Sequence, residues 1–214
     1  MRFRCVLLDI DGTLVDSNDA HAHAWVEAFA ESGWQVPFER VRPLIGKGGD
    51  KLLAELANLD SESAAGKAIA EARRQIFKER HLRRLRPTHG AKELLLWLRE
   101  QPIAAAIASS AKSDEIHDLL AVVDAVWLAD DASSADDVDN SKPDPDVVAA
   151  ALKKAKCRRQ EAVLIGDTPY DVEAARRAGI PAIAVRCGGW HDAALKEAIE
   201  IYDDPAQLVA RWSR

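Results

Sequence analysis

The stretch CVLLDIDGTLVD, residues 5–16, decides how the rest of the chain is read. An apolar run ends in Asp9, Ile10, Asp11 and Gly12. In a strand successive side chains face opposite sides, so Asp9 and Asp11 point the same way from its carboxyl end. Gly12 lets the chain turn off sharply, and Thr13 adds a hydroxyl. Two acids this close repel, and the cost falls if a divalent cation sits between them or one keeps its proton. The same letters also read as an Asp-Gly hairpin turn, or as Asp11 capping a helix. The sequence on either side has to choose.

Outward from this stretch, Asp19 to Ser32 carries Ala22, Trp25, Val26 and Phe29 at helical spacing, with Gly33 as a stop. Turns around Pro37 and Pro43 and the cluster Gly46, Gly48 and Gly49 follow. Helical patterns then cover 50–56 and 61 to about 85. No β-run lies between Asp16 and Pro87. Beyond Pro87 helices alternate with unbroken apolar runs: 103–110, 125–130, 162–167 and 182–186. That alternation predicts a parallel sheet covered on both faces. The expected fold is α/β: a Rossmann-like core of residues 1–16 and 88–214, with a helical domain, 17–87, inserted after the first strand.

In such sheets ligands bind at the carboxyl ends of the strands. Those ends carry Asp9 and Asp11, then Ser109 and Ser110, then Asp167, with Asp171 one helical turn on; Lys142 precedes a helix start at Pro143 and Pro145. Mg²⁺ takes oxygen ligands and suits two or three Asp plus a phosphate, so Asp9, Asp11 and Asp167 form the expected metal set. One mechanism uses every group. Asp9 attacks phosphorus and becomes an aspartyl phosphate. Asp11 protonates the leaving oxygen and then deprotonates the attacking water. Ser109, backbone N–H groups, Lys142 and the metal stabilise the equatorial oxygens. Asp171 orients the metal's waters or Lys142.

Length and composition are those of an ordinary globular protein of 214 residues, and the net charge of −6 argues against a partner held by phosphate neutralisation such as nucleic acid. Small phosphorylated ligands need only a local positive site. Cys5, Cys157 and Cys187 form no C-x-x-C pair, which suggests neither a disulfide framework nor zinc, and a reducing cytoplasm is the expected setting. Arg2 and Arg4 precede an apolar run too short for a signal peptide, and no run approaches a membrane span.

DIDGT, the hydroxyls ending IASS, SKPDPD and GDTPYD, in that order, resemble the four motifs of the haloacid dehalogenase superfamily. The helical insertion resembles the C1 cap of that family. The resemblance covers essentially the whole chain and implies a Mg²⁺-dependent phosphotransferase whose cap closes over a small phosphorylated metabolite. Gly12, Thr13 and Ser110 fall among its phosphate-binding or supporting positions. Dehalogenases of the superfamily lack the second Asp, so Asp11 argues for phosphate chemistry. Within it the chain is similar to phosphoglycolate phosphatases and to beta-phosphoglucomutases with their sugar-phosphatase relatives. VDSNDAHAHAW resembles the latter, where a His one turn before Trp lies near hinge and substrate; the match is His21, which also reads as an exposed or capping His. The mutase substrate loop grips a far phosphate with an Arg, a place that falls on Gly49, with Lys47 as a substitute. A phosphatase is therefore the first reading, as a monomer or weak dimer without membrane or nucleic-acid partner. A mutase is the second, and a phospho-acceptor signalling module the alternative of another class. IGKGGDK lacks P-loop spacing. The arginine run from Arg73 to Arg86 reads as a solvated face paired with Glu71 and Glu79, the acidic stretch 129–141 as an exposed loop, and Trp127 as core.

Overall fold

The computed structural model describes residues 3–213, so Arg2 lies outside them. Five short strands form one sheet: β1 (Cys5–Leu8), β2 (Ala104–Ile107), β3 (Ala162–Gly166), β4 (Ala182–Val185) and β5 (Glu200–Tyr202). Their order is β2-β1-β3-β4-β5, and every pairing is parallel. The α/β fold expected from the alternation is the observed one. β1 lies between β2 and β3 in one register, Leu8 opposite both Ile107 and Ile165. Every residue of β1, β3 and β4 is buried, the condition under which a strand reads as a continuous apolar run.

The chain divides into two compact units, one of residues 1–16 with 86–214 and one of 17–85. The first holds the sheet and the helices α5 (Ala91–Glu100), α6 (Ser113–Val122), α7 (Asp146–Lys154), α8 (Pro169–Ala178), α9 (Asp192–Leu195) and α10 (Pro205–Trp212). One core cluster joins Cys5 and Leu7 of β1 to Val148 and Leu152 of α7 and Ala175 of α8. The second unit holds α1 (Asn18–Glu31), α2 (Phe38–Val41), α3 (Gly49–Ala57) and α4 (Ala64–Ile76). α4 opens on Ser63, whose hydroxyl accepts from the Gly66 N–H at 3.0 Å, the usual way of satisfying an orphan donor at a helix start. Within the first unit the chain leaving the sheet and the chain returning to it are paired. Val15 bridges Pro87, the Asp16 N–H donates to Arg86 O at 2.9 Å, and the Thr88 N–H donates to Leu14 O at 2.9 Å.

Several expectations need correction. The run 125–130 contains no strand but a 3₁₀ turn, Val126–Leu128, and Trp127 is 42% exposed rather than core. Its place beside β2 is taken by Ser133, which bridges Ala108. Apolar letters alone do not distinguish a strand from a turn that buries Leu128 and leaves its neighbour in water. The helix expected over 61–85 ends at Ile76 and continues as a π-turn, Phe77–His81, and a 3₁₀ turn, Leu82–Arg84. β5 and α10 had no sequence signal strong enough to name. Cys5 and Cys157 are disulfide-bonded, with Cα atoms 6.2 Å apart. Sequence spacing could not show this, because the residues are 152 apart and meet only where the segment after α7 packs against the core that contains β1. No helix among the described residues is long and apolar enough to cross a membrane.

Candidate active site

β1 delivers Asp9 to the carboxyl edge of the sheet, where its N–H donates to Ile165 O of β3 at 2.9 Å. The chain then turns tightly. The Ile10 carbonyl accepts from the N–H groups of Thr13, Leu14 and Val15, and Gly12 sits at φ +76°, a conformation glycine adopts without steric cost. The Thr88 hydroxyl donates to Thr13 O at 2.6 Å and pins the turn. Thr13 Oγ1 in turn donates to Asp167 Oδ1 at 3.1 Å, so the hydroxyl after β1 holds the acid after β3.

Asp171 is placed by α8. Thr168 and Asp171 form a reciprocal cap: Asp171 Oδ2 accepts from the Thr168 N–H at 3.0 Å and from its hydroxyl at 2.6 Å. Asp171 Oδ1 pairs with Lys142 Nζ at 2.7 Å, and the same ammonium reaches Asp9 Oδ1 at 2.6 Å. Lys142 is 1% exposed, Asp9 6%, Asp167 0% and Asp171 1%. Ser109, also buried, accepts the Ala111 N–H at 3.1 Å on its hydroxyl, while its own N–H donates to Ser133 O. Ser110 accepts the Lys142 N–H at 3.4 Å, tying the segment after β2 to the lysine.

The electrostatics follow from this count of charges. Three buried acids face one ammonium. Burial pushes the Asp9 carboxyl well above the usual carboxylate range; Lys142 opposes this, and Asp171, Asp167 and Asp11 push it further up. Burial alone would lower the Lys142 ammonium, yet Asp171 and Asp9 hold its pKa above the ordinary lysine value. Asp9, Asp167 and Asp171 each offer an oxygen, all within 4.8 Å of one another. An all-carboxylate oxygen set with surplus negative charge fits a hard divalent cation. Asp11, expected in the metal set, lies half-buried beside this trio, while Asp171 belongs to it.

The remaining candidates lie in the helical unit. His21 is neither exposed nor a cap: it is 3% exposed within α1, stacks on Phe77 with ring centroids 4.1 Å apart, and its Nδ1 meets an Arg73 guanidinium nitrogen at 2.6 Å. Lys47 donates to Glu55 at 2.5 Å. Gly49 lies under Trp25, and a Cβ there would come within 3.1 Å of the indole. Arg74 pairs with Glu71 as expected, but Arg80 pairs with Glu27 and Glu31 of α1 and not within its own helix. The residues that sequence reasoning missed are Cys187 and Gly188, after β4. Cys187 Sγ donates to Gly12 O at 3.2 Å, and Gly188 lies against Asp167. No motif marks them.

Residues 6–185 match the family model described as haloacid dehalogenase-like hydrolase. A validoxylamine A 7'-phosphate phosphatase of Streptomyces hygroscopicus subsp. limoneus is 28% identical over 216 residues, covering 98% of this chain and 97% of the relative. A phosphoglycolate phosphatase of Pseudomonas syringae pv. syringae is 28% identical over 211 residues, covering 96% of this chain and 76% of that one. The crystal structure of a hydrolase from Pseudomonas syringae superimposes with a TM-score of 0.91 at 29% identity, covering 98% of this chain and 97% of the other.

Proposed function

The chain belongs to the haloacid dehalogenase-like hydrolase family, and from that premise we propose that it is a Mg²⁺-dependent phosphatase. Its substrate is a small phosphorylated metabolite such as phosphoglycolate or a sugar phosphate, hydrolysed through a phosphoaspartate at Asp9. The observation that carries this reading is the buried arrangement in which Lys142 bridges Asp9 and Asp171 while Thr13 holds Asp167. A protein bears the cost of three buried acids and one ammonium where the charge has chemical use. The relatives named as phosphatases of phosphoglycolate and of validoxylamine A 7'-phosphate support a small phosphate ester.

Asp9, Asp167 and Asp171 would hold the cation, which neutralises phosphate charge when bound. The other roles fall to the chain's own groups. Asp9 attacks phosphorus as the bond to the leaving oxygen breaks, and Asp11 gives that oxygen its proton. Water then attacks the phosphoaspartate, Asp11 takes its proton, and phosphate departs with Asp9 restored. Lys142 holds Asp9 in place and, with the Ser109 segment, offers positive charge and donors to the phosphoryl oxygens. The space beside Gly49 is filled by Trp25 and Lys47 is engaged by Glu55, which supports the phosphatase over the mutase. A helical unit inserted after the first strand separates the chain from phospho-acceptor modules.

The test is phosphate release from a panel of small phosphate esters, with and without Mg²⁺, beside Asp9→Asn. The variant is expected to keep its circular dichroism and lose at least about a thousandfold in rate, because the covalent route is gone. Appreciable turnover by Asp9→Asn would sink the proposal. Glucose 1-phosphate converted to its 6-isomer with little free phosphate would promote the mutase, and one stable phosphorylation without turnover the signalling module.

A further inference from the structure

The segment 186–190, between β4 and α9, belongs to no motif, yet it stands against the acid cluster. Gly188 is buried. A Cβ on it would lie 2.5 Å from Asp167 Cβ and nearer still to Asp167 Cγ and Oδ2, closer than the 3.0 Å that real Cβ atoms keep. The backbone does not itself demand glycine here: the positive-φ glycines include Gly189 at +93° but not Gly188. What demands it is the space taken by a carboxylate. The segment has little freedom to retreat, since β4 is paired on both sides and Cys187 is hydrogen-bonded to the Gly12 carbonyl. A parallel case stands at Gly166, where a Cβ would lie 2.5 Å from Asp171 Cβ and Cγ.

We propose that Gly188 is a positioning residue for the acid cluster: by lacking a side chain it lets the Asp167 carboxylate stand against the β4 turn and face Thr13 and Asp9. Any side chain at 188 drives Asp167 out of the geometry in which it accepts from Thr13 and shares a cation with Asp9 and Asp171. The inference rests on reading Asp167 as a metal ligand. It does not rest on which ester the protein hydrolyses.

The test is a double-mutant cycle of Gly188→Ala and Asp167→Gly, read by thermal unfolding of the metal-free proteins and by electron paramagnetic resonance titration with Mn²⁺. Gly33→Ala serves as control for cation binding, because Gly33, unlike Gly188, has positive φ and a Cβ there meets nothing within 4 Å. Gly188→Ala is expected to lower Tm by about 4 °C or more and to weaken Mn²⁺ binding at least about tenfold. In the Asp167→Gly background the same methyl finds the vacated volume and costs little, so the two effects are strongly non-additive. Gly33→Ala leaves Mn²⁺ binding unchanged. If Gly188→Ala fails to fold, a folded double variant supports the proposal and an unfolded one overturns it. Unchanged Mn²⁺ affinity in a folded Gly188→Ala, an equal Tm loss in both backgrounds, or no Mn²⁺ binding by the wild type would each overturn it. A wild type that binds Mn²⁺ and shows this coupling but releases phosphate from no ester removes the phosphatase reading and leaves this one standing.

Discussion

Lys142 in the sheet unit and Arg80 in the helical unit each pair with two carboxylates, Asp9 and Asp171 for the first and Glu27 and Glu31 for the second. The lysine side chain is 1% exposed and the arginine 52%. In water the charges of Arg80 are already well solvated, so pairing them changes little. In the interior each charge has lost its water, and the pairing more than offsets that loss at Lys142 but only partly at Asp9, whose carboxyl stays raised. The same drawing of one cation between two acids thus means opposite things. At Arg80 it is a solvated helix face; at Lys142 it is a costly arrangement kept where chemistry needs it.

Removing each cation is the direct way to break this comparison. Lys142→Met leaves Asp9, Asp167 and Asp171 buried together without their ammonium. We expect a loss of about 3 kcal/mol in urea unfolding and a fall in phosphate release of at least about a hundredfold; a variant as stable and active as the wild type would erase the distinction. Arg80→Ala should move Tm by no more than about 2 °C, with phosphate release unchanged. A larger shift would show that the helical unit, too, depends on its ion pairs.

The smallest effect sharpens the comparison through pH. His89 and Asp204 pair at 2.7 Å on the surface of the sheet unit. The hydrogen bond that His89 donates to Asp204 lifts the histidine's pKa above its ordinary value. Burial pushes Asp204 up, but the His89 bond and charge together with the Gln207 and Ala206 N–H groups outweigh it and hold that carboxyl below its ordinary value. The histidine's contribution is fully present below its unfolded pKa and disappears as pH rises through the higher folded one. The acid's contribution is present above its unfolded pKa and disappears as pH falls through the lower folded one. Both operate between about pH 4.5 and 6. Asp204→Asn keeps an oxygen to cap α10, as Asp204 now does toward the Gln207 N–H, and removes the charge. Its Tm should drop slightly at about pH 5.5 and by less at about pH 9, where the His89 charge is gone and the Gln207 and Ala206 N–H groups still favour the carboxylate; an equal drop at both would assign the effect to capping alone.

What could be read from the letters follows the same line between interior and surface. β1, β3 and β4 were legible because a strand buried on both faces has to be apolar throughout. Asp9 and Asp167 were legible because polar residues stand out where such runs end, and Lys142 because it stands just before the helix start at Pro143 and Pro145. Trp127 and the run 125–130 misled because an apolar run in a turn obeys no period. The Cys5–Cys157 bond, the pairing of Arg80 with α1 and the contact of Gly188 with Asp167 are consequences of tertiary approach, for which neighbouring letters carry no record. Asp171 was legible as a positioning acid, but its place among the converging oxygens needed coordinates.

The paired segments at Val15–Pro87 and Asp16–Arg86 have a bearing on how such a chain can change over generations. They form a closed neck: the sheet unit fastens its own two ends together without help from whatever hangs beyond. The entropy of closing a flexible loop grows only with the logarithm of its length, about 0.6 kcal/mol for each doubling. A neck of this kind therefore lets the inserted segment be lengthened, shortened or exchanged at small thermodynamic cost, while strand order and the spacing of Asp9 from Asp167 stay as they are. The chain carries an adaptor socket in its backbone, through which one hydrolytic engine can be refitted without being rebuilt.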